Sequence, residues 1–132
     1  MIEGEVVYKG YYDGSYRNGF GGIGGYVENS EGEVVFKFQE LVQVGSSFRA
    51  EYAALEKLLR LAVSHGIKNL TVYGDCYHVV IHSDGYNSRV KHLIKQIPSC
   101  ELLPVSRDKN KIAHKLANVI LARRFPPPGR RL

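Results

Sequence analysis

The order of strand-like and helical segments constrains the fold of this chain more than any other feature. Three segments rich in β-branched and aromatic residues, 5–12, 20–28 and 33–42, follow one another near the start. The residues between them, 13–19 (DGSYRNG) and 29–32 (NSEG), are turn formers. This order predicts three strands joined by tight connections, which form an antiparallel meander.

Helical and strand patterns alternate in the rest of the chain. Ser46 and Ser47 are suitable N-caps for a helix over 48–64, and Gly66 is a natural end for it. The remaining predicted elements are, in order, a strand over 69–74, helices over 76–82 and 88–97, a strand over 100–105 and a helix over 109–124. A strand that follows a helix favours parallel pairing through a crossover. We therefore predict an α/β fold: a five-stranded mixed sheet with helices on its faces.

The length of 132 residues fits one domain with its own hydrophobic core. We expect this domain to span residues 1–124, followed by a loose tail rich in proline and arginine over 125–132. No apolar run reaches the ~18 residues that a membrane span needs, and the N-terminus lacks the pattern of a secretory signal. Two cysteines are too few for a disulfide framework, so we expect a cytoplasmic protein that does not associate with membranes.

The charges are distributed unevenly along the chain. Residues 1–88 contain 7 basic and 11 acidic side chains, whereas residues 89–132 contain 11 basic and 2 acidic ones. A strongly basic final third suggests a polyanionic partner. A solubilising surface with a basic tail would explain the same distribution, so charge alone leaves both interpretations open.

Three carboxylates occupy positions where a site would form. Asp13 and Asp75 each follow a predicted strand, and Glu51 falls in the first turn of the first long helix. Sites in α/β sheets gather at strand ends near a change in strand order, so neighbouring first and fourth strands would bring the three together. Clustered carboxylates repel one another unless a cation binds them, and oxygen ligands favour Mg²⁺ or Mn²⁺. Taken singly, the three residues also suit a turn, a helix N-cap and a helix dipole.

The ordered set of motifs resembles the type 1 ribonuclease H family. The motifs are DGS (13–15), the glycine-rich RNGFGGIGGY (17–26), RAEYAAL (49–55), YGD (73–75) and N-x-x-A-x-x-L-A (110–117). The resemblance covers roughly residues 5–122. It implies cleavage of the RNA strand of an RNA/DNA hybrid by four carboxylates and two Mg²⁺ ions. By motif position, Asp13 would be shared by both ions, while Glu51 and Asp75 would hold the ion on the leaving-group side.

The sequence departs from the family at the fourth carboxylate, where the last motif has His114. The resemblance places His114 among the catalytic and metal-binding residues, beside the ion that activates water. Imidazole binds Mn²⁺ but is a poor ligand for Mg²⁺. We therefore expect a weak or Mn²⁺-preferring nuclease. The alternatives are a catalytically inactive nucleic-acid-binding protein that kept the fold, and an interaction domain whose basic tail binds an acidic protein.

A further set of residues is expected to contact nucleic acid, either RNA/DNA hybrid or another double-stranded form. Ser47 can contact a 2′-hydroxyl, and Phe48 can pack on a sugar or base. The basic residues of the helix over 88–97 supply a positive face. The full predicted set is Gly14, Ser15, Asn18, Ser47, Phe48, Arg49, Arg89, Lys91 and Lys95. We expect the protein to act as a monomer.

Overall fold

A five-stranded mixed sheet with the strand order β3-β2-β1-β4-β5 forms the centre of the molecule. The structure is a computed structural model that describes residues 6–76, 79 and 88–126. The strands are β1 (Tyr8–Arg17), β2 (Phe20–Glu28), β3 (Val34–Gln43), β4 (Asn69–Gly74) and β5 (Ser99–Pro104). The described helices are α1 (Ser47–Ser64), α2 (Ser88–Lys95) and α3 (Lys111–Arg124), and a 3₁₀ turn over Arg107–Asn110 precedes α3. The predicted α/β class and mixed sheet are confirmed.

The first three strands form the predicted antiparallel meander, but the first hairpin is tighter than the sequence suggested. β1 continues to Arg17, so the turn predicted over 13–19 is wrong. The connection consists of Asn18 and Gly19 alone, both at positive φ (48° and 85°). Two such residues give a turn whose twist matches that of the flanking strands, which allows both strands to lengthen. Asp13 therefore lies inside β1, paired with Gly24 of β2.

The second half of the sheet is parallel, as predicted. β4 pairs with β1, and β5 pairs with β4. α1 supplies the crossover between β3 and β4: Ser46 caps it by accepting a hydrogen bond from the Arg49 backbone N–H (3.1 Å), and Gly66, at φ +70°, follows its end. The first and fourth strands are thus neighbours, which is the condition that the sequence argument required.

The helices lie on opposite faces of the sheet. A Cβ added to Gly21 would meet Ala50 of α1, whereas a Cβ added to Gly22 would lie 2.1 Å from the Ala117 carbonyl oxygen of α3. α2 packs against α1 on the first face. The main core lies between α1 and the sheet and includes Tyr12, Val27, Leu55, Leu58, Leu59, Leu70 and Val72. On the other face, α3 rests directly on the backbone of β2, since Gly22 and Gly24 have no side chains to hold it away.

The remaining predicted elements differ in detail. α2 ends at Lys95 and α3 begins at Lys111, because the 3₁₀ turn occupies the residues before it. The helix predicted over 76–82 lies outside the described residues apart from Cys76 and Val79, of which Val79 is helical and buried. Within the described residues, no helix is both long enough and apolar enough to span a membrane.

The beginning of the predicted tail packs against the first hairpin. The ring of Phe125 lies edge-on to the ring of Phe20, with centroids 5.9 Å apart. The backbone carbonyl oxygen of Phe125 accepts a hydrogen bond from Arg17 Nη1 (3.3 Å). The guanidinium of Arg124 lies over the Phe20 ring, 4.7 Å from its centroid. The C-terminal end of α3 is therefore held at the β1–β2 turn. Residues 127–132 of the tail lie outside the described residues.

Candidate active site

The three predicted carboxylates meet where β1 and β4 separate. The parallel ladder between these strands ends at the pair Tyr11 and Tyr73, two residues before Asp13 and Asp75 respectively. Glu51 reaches the same place from α1. One ligand atom from each of the three residues lies within 4.8 Å of the other two. The structure thus brings together the acidic residues that the sequence placed on three separate elements.

Glu51 is held in place by the backbone of β1. The Gly14 N–H donates a hydrogen bond to Glu51 Oε1 (3.0 Å), while Glu51 Oε2 is buried without a hydrogen-bond partner. α1 can approach this closely because a Cβ on Gly14 would lie 2.5 Å from the backbone carbonyl of Ala50. A buried carboxylate oxygen with no partner is costly. A cation bound by the cluster would supply the partner that this oxygen lacks.

The raised pKa values of Glu51 and Asp75 also indicate that the cluster suits a bound cation. Burial, together with the adjacent carboxylate of Asp13 and its negative charge, raises the pKa of Glu51 to about 10. Burial and the charge of Asp13 also raise the pKa of Asp75, against the opposing effects of Asn110, Arg107 and His114. The cation-free cluster therefore keeps a proton near neutral pH. A divalent cation can replace this proton, so the three residues present fit one hard metal ion.

Asn110 ties the two strands together beneath the carboxylates. Its side chain is 1% exposed, and its Nδ2 donates to the Tyr12 carbonyl oxygen (2.9 Å) and to Asp75 Oδ2 (3.2 Å). The sequence contained Asn110 as the first residue of the last motif, but sequence reasoning did not assign it a role. The structure shows that it orients Asp75 relative to β1.

His114 contacts the cluster through a hydrogen bond to Asp13. The distance from His114 Nδ1 to Asp13 Oδ2 is 2.7 Å, and the two side chains are 37% and 4% exposed. The other ring nitrogen, Nε2, lies 2.7 Å from Nδ2 of Asn118, one turn further along α3. Among the described residues, the group of mutually close ligand atoms consists of the three carboxylates and does not include His114.

A cavity of about 300 Å³ opens beside Glu51 and Asp75. Its lining consists of Gly14, Ser47, Phe48, Glu51, Asp75, Cys76 and Arg107. Three predicted nucleic-acid contacts, Gly14, Ser47 and Phe48, are therefore at the site. Phe48 packs edge-on against Tyr52, with centroids 5.0 Å apart, which fixes its ring at the rim. Sequence reasoning did not identify Arg107 as a site residue. Its position in a basic segment just before the last motif could have indicated this role.

The other predicted nucleic-acid contacts lie outside this cavity lining. Ser15 is half-buried on β1, Asn18 forms the exposed hairpin turn, and Arg49 is exposed on the first turn of α1. The basic residues of α2 are not part of that lining. Within α2, Arg89 Nη1 lies 4.0 Å from Glu56 of α1, while Lys91 and Lys95 are exposed.

Comparisons with known proteins agree with this architecture. The sequence matches the reverse transcriptase-like family over residues 11–120. RNase H1 from the halophilic archaeon Halobacterium salinarum superposes with a TM-score of 0.81 at 22% identity, covering 88% of this chain and 98% of that one. The N-terminal RNase H domain of a Mycobacterium tuberculosis protein gives 0.83 at 23% identity, with 90% and 96% covered. LC11-RNase H1 in complex with RNA/DNA hybrid gives 0.75 at 21% identity, with 85% and 94% covered. No curated protein matches the sequence.

Proposed function

The chain belongs to the reverse transcriptase-like family and has the fold of the RNase H structures that it matches, and we propose that it is a metal-dependent endonuclease that cleaves the RNA strand of RNA/DNA hybrids. The observation that carries this proposal is the convergence of Asp13, Glu51 and Asp75 just beyond the end of the β1–β4 ladder. The unpartnered Glu51 Oε2 and the raised pKa of Glu51 add support, because both indicate a cluster that needs a cation.

Mg²⁺ or Mn²⁺ is the cofactor that this cluster would hold. In the two-metal scheme that the family resemblance implies, one ion would activate water and the other would stabilise the departing 3′ oxygen. Asp13, Glu51 and Asp75 would supply the ligands, and Asn110 would keep Asp75 in position through its hydrogen bond. Mg²⁺ demands near-ideal octahedral geometry. A site with one carboxylate fewer than the family pattern should therefore work better with Mn²⁺.

The cavity lining supports an RNA-containing duplex as the substrate. Ser47 lies at the start of α1 beside Glu51 and can hydrogen-bond to a 2′-hydroxyl, the group that distinguishes RNA from DNA. Phe48 offers an apolar surface to the adjoining sugar. Arg107 lies at the same opening and can pair with a backbone phosphate. We propose that the protein does this as a monomer in the cytoplasm.

A second function is favoured by the contact between His114 and Asp13. The imidazole already engages the carboxylate that would be shared by two ions. The protein would then bind duplex nucleic acid through its basic surfaces without cutting it. This alternative predicts binding that weakens as salt concentration rises, with no cleavage product.

A cleavage assay separates the two functions. A labelled RNA/DNA hybrid is incubated with the protein in Mg²⁺ and, separately, in Mn²⁺, and the products are resolved by length. We expect internal cuts in the RNA strand, faster in Mn²⁺, that Asp13→Asn abolishes and Glu101→Gln leaves unchanged, since Glu101 is an exposed carboxylate of β5 outside the cluster. An absence of cutting with either metal, with salt-sensitive binding retained, would favour the binding function.

A further inference from the structure

The tip of the first hairpin and the last turn of α3 together form a basic and aromatic surface, which we call the hairpin patch. It consists of Arg17, Phe20, Arg123, Arg124 and Phe125, of which the three arginines are exposed and the two rings half-buried. The two segments that meet there, 14–23 and 115–126, contain four basic residues and no acidic residue. The positive charge of the hairpin patch is therefore not neutralised by the segments that build it.

Two guanidinium groups of the patch are held beside the same ring. The Cζ atom of Arg17 lies 5.1 Å from the centroid of Phe125, and that of Arg124 lies 4.9 Å from it. Arg124 also lies over the ring of Phe20. Cation–π contacts of this length fix the positions of the guanidiniums. Two like charges held side by side repel each other, and an anion bound to both would relieve that repulsion.

Most N–H groups of these guanidiniums have no partner within the part of the chain that the structure describes. Arg17 donates one hydrogen bond, to the Phe125 carbonyl oxygen, and Arg124 has neither a side-chain hydrogen bond nor an ion pair there. A guanidinium carries five N–H donors, which suit the oxygens of a phosphate. The helix dipole would favour Arg123 and Arg124 at the end of α3. It does not explain Arg17, which lies on a strand.

An open strand edge leads from the carboxylates to the hairpin patch. The pairing of β1 with β4 ends at Tyr11, so the rest of β1 has a free edge on that side among the described residues. Asp13 and Arg17 lie on the same face of β1, because Asp13 contacts His114 of α3 and Arg17 contacts Phe125 at its end. Four strand residues span about 13 Å. That length corresponds to about four base pairs of a duplex.

Resting on the proposed function, we propose that the hairpin patch binds the phosphate backbone of the duplex at the carboxylates, about four base pairs from the point of cleavage. Arg17 and Arg124 supply the hydrogen bonds to phosphate, and Phe125 holds their guanidiniums in place. Such contacts position a duplex without reading its sequence. The two arginines are therefore positioning residues, which hold the substrate in register with Asp13.

The proposal is tested by the salt dependence of binding, measured in a chelator so that no cleavage occurs. A fluorescent RNA/DNA hybrid of two helical turns is titrated with protein at several salt concentrations, and its anisotropy is recorded. For Arg17→Gln/Arg124→Gln we expect an affinity about tenfold lower at low salt and a slope of log affinity against log salt smaller by about two. The matched control is Lys37→Gln/Lys68→Gln, which removes two charges at exposed positions elsewhere and should keep the wild-type slope.

Two further variants separate binding from a structural role of the same side chains. Arg17→Lys/Arg124→Lys keeps both charges and should keep the wild-type slope. Arg124→Gln alone keeps the hydrogen bond of Arg17 to Phe125 and should lower the slope by about one. A lysine variant with the reduced slope of the glutamine variant would show that the arginines only hold α3 in place, and would overturn the proposal.

The outcomes also distinguish this proposal from the proposed function. Equal slopes for Arg17→Gln/Arg124→Gln and its control would overturn the hairpin patch as a binding surface even if the protein cleaves hybrid. The expected loss of slope would support it even if no cleavage is ever observed. Where the protein cleaves, KM should rise in the glutamine variant while kcat at saturating hybrid stays the same, and a fall in kcat alone would contradict a positioning role. An absence of hybrid binding by the wild type would contradict both proposals.

Discussion

Glu51 is a buried carboxylate whose surroundings strongly raise its pKa. Its pKa is raised to about 10 from an ordinary 4.5, chiefly by burial and then by Asp13. Between these two values the folded, metal-free protein holds a proton that the unfolded chain releases. The free energy of unfolding therefore falls as pH rises through this window, by at most about 1.4 kcal/mol per pH unit.

This dependence predicts how pH and metal act together. In a chelator, the melting temperature of the wild type should fall between pH 5 and pH 9, and that of Glu51→Gln should fall less. A divalent cation replaces the proton, so the stabilisation by Mn²⁺ should grow with pH. Equal slopes for the two proteins in chelator would show that Glu51 is not the group responsible.

Arg107 is the second residue that merits mutation. Its guanidinium is exposed, lines the cavity and acts on Asp75 through its charge. A charge-assisted hydrogen bond contributes ~1.5–3 kcal/mol, so Arg107→Ala should reduce kcat/KM on hybrid by about tenfold or more. Lys109→Ala, which removes an exposed charge from the same 3₁₀ turn, should have little effect. Similar losses in both variants would point to general charge attraction instead.

Sequence patterns located the acidic residues but not the residues that support them. Asp13, Glu51 and Asp75 stand out because carboxylates near strand and helix ends are few. The supporting residues act through contacts that form only in the folded chain. Asn110 contacts residues 35 and 98 positions before it, and Asn118 contacts a residue one helical turn before it. Arg107 lines the cavity together with residues from distant parts of the sequence. Their side chains are ordinary for a helix start or a solvated surface, so only the folded arrangement distinguishes them.

Among the elements, β2 and β4 form over the residues predicted for them, and the glycines of β2 have a specific structural role. The strand was predicted at residues 20–28 and forms there, whereas β1 was predicted too short because DGSYR resembles a turn in composition. The tertiary pairing with β2 overrides that local preference. Gly22 and Gly24 let α3 lie on the sheet, and α3 carries His114 and Asn118.

The packing of α3 on β2 predicts the effect of filling one glycine position. A Cβ at Gly24 would lie 2.5 Å from Leu116 Cβ and 2.7 Å from the Ala117 backbone nitrogen. Gly24→Ala should lower the free energy of unfolding by about 1–3 kcal/mol, because α3 must move away. Gly45→Ala is the control, since a Cβ there has no atom within 4 Å. Chemical denaturation measures both, and an unchanged midpoint for Gly24→Ala would mean that the helix is not seated as described.

At the scale of the whole molecule, the uneven charge has a structural counterpart. The acidic excess of the first part includes the buried cluster, and α2 and α3 carry much of the basic excess on exposed positions. The composition alone could not separate polyanion binding from solubility. If the proposed function is right, α2 would extend the surface that contacts the duplex, because it packs against α1, the helix that begins at the cavity.

The basic face of α2 can be tested through salt dependence. If Lys91 and Lys95 contact phosphates, replacing both with alanine should weaken hybrid binding and lessen the slope of log affinity against log salt by up to about two. The control is the double replacement of Lys37 and Lys68, two exposed lysines on β3 and after α1. Indistinguishable slopes for the two double variants would place the nucleic acid elsewhere on the surface.

The long sequence separation between the parts of the site has a consequence for protein synthesis. Asp13 is synthesised 101 residues before its partner His114. Asn110, which joins β1 to Asp75, is likewise synthesised 98 residues after its partner Tyr12. A nascent chain that stops before α3 therefore holds its carboxylates without the helix that orders them. Premature termination before α3 yields a product without the assembled site, which can form only after α3 has been synthesised.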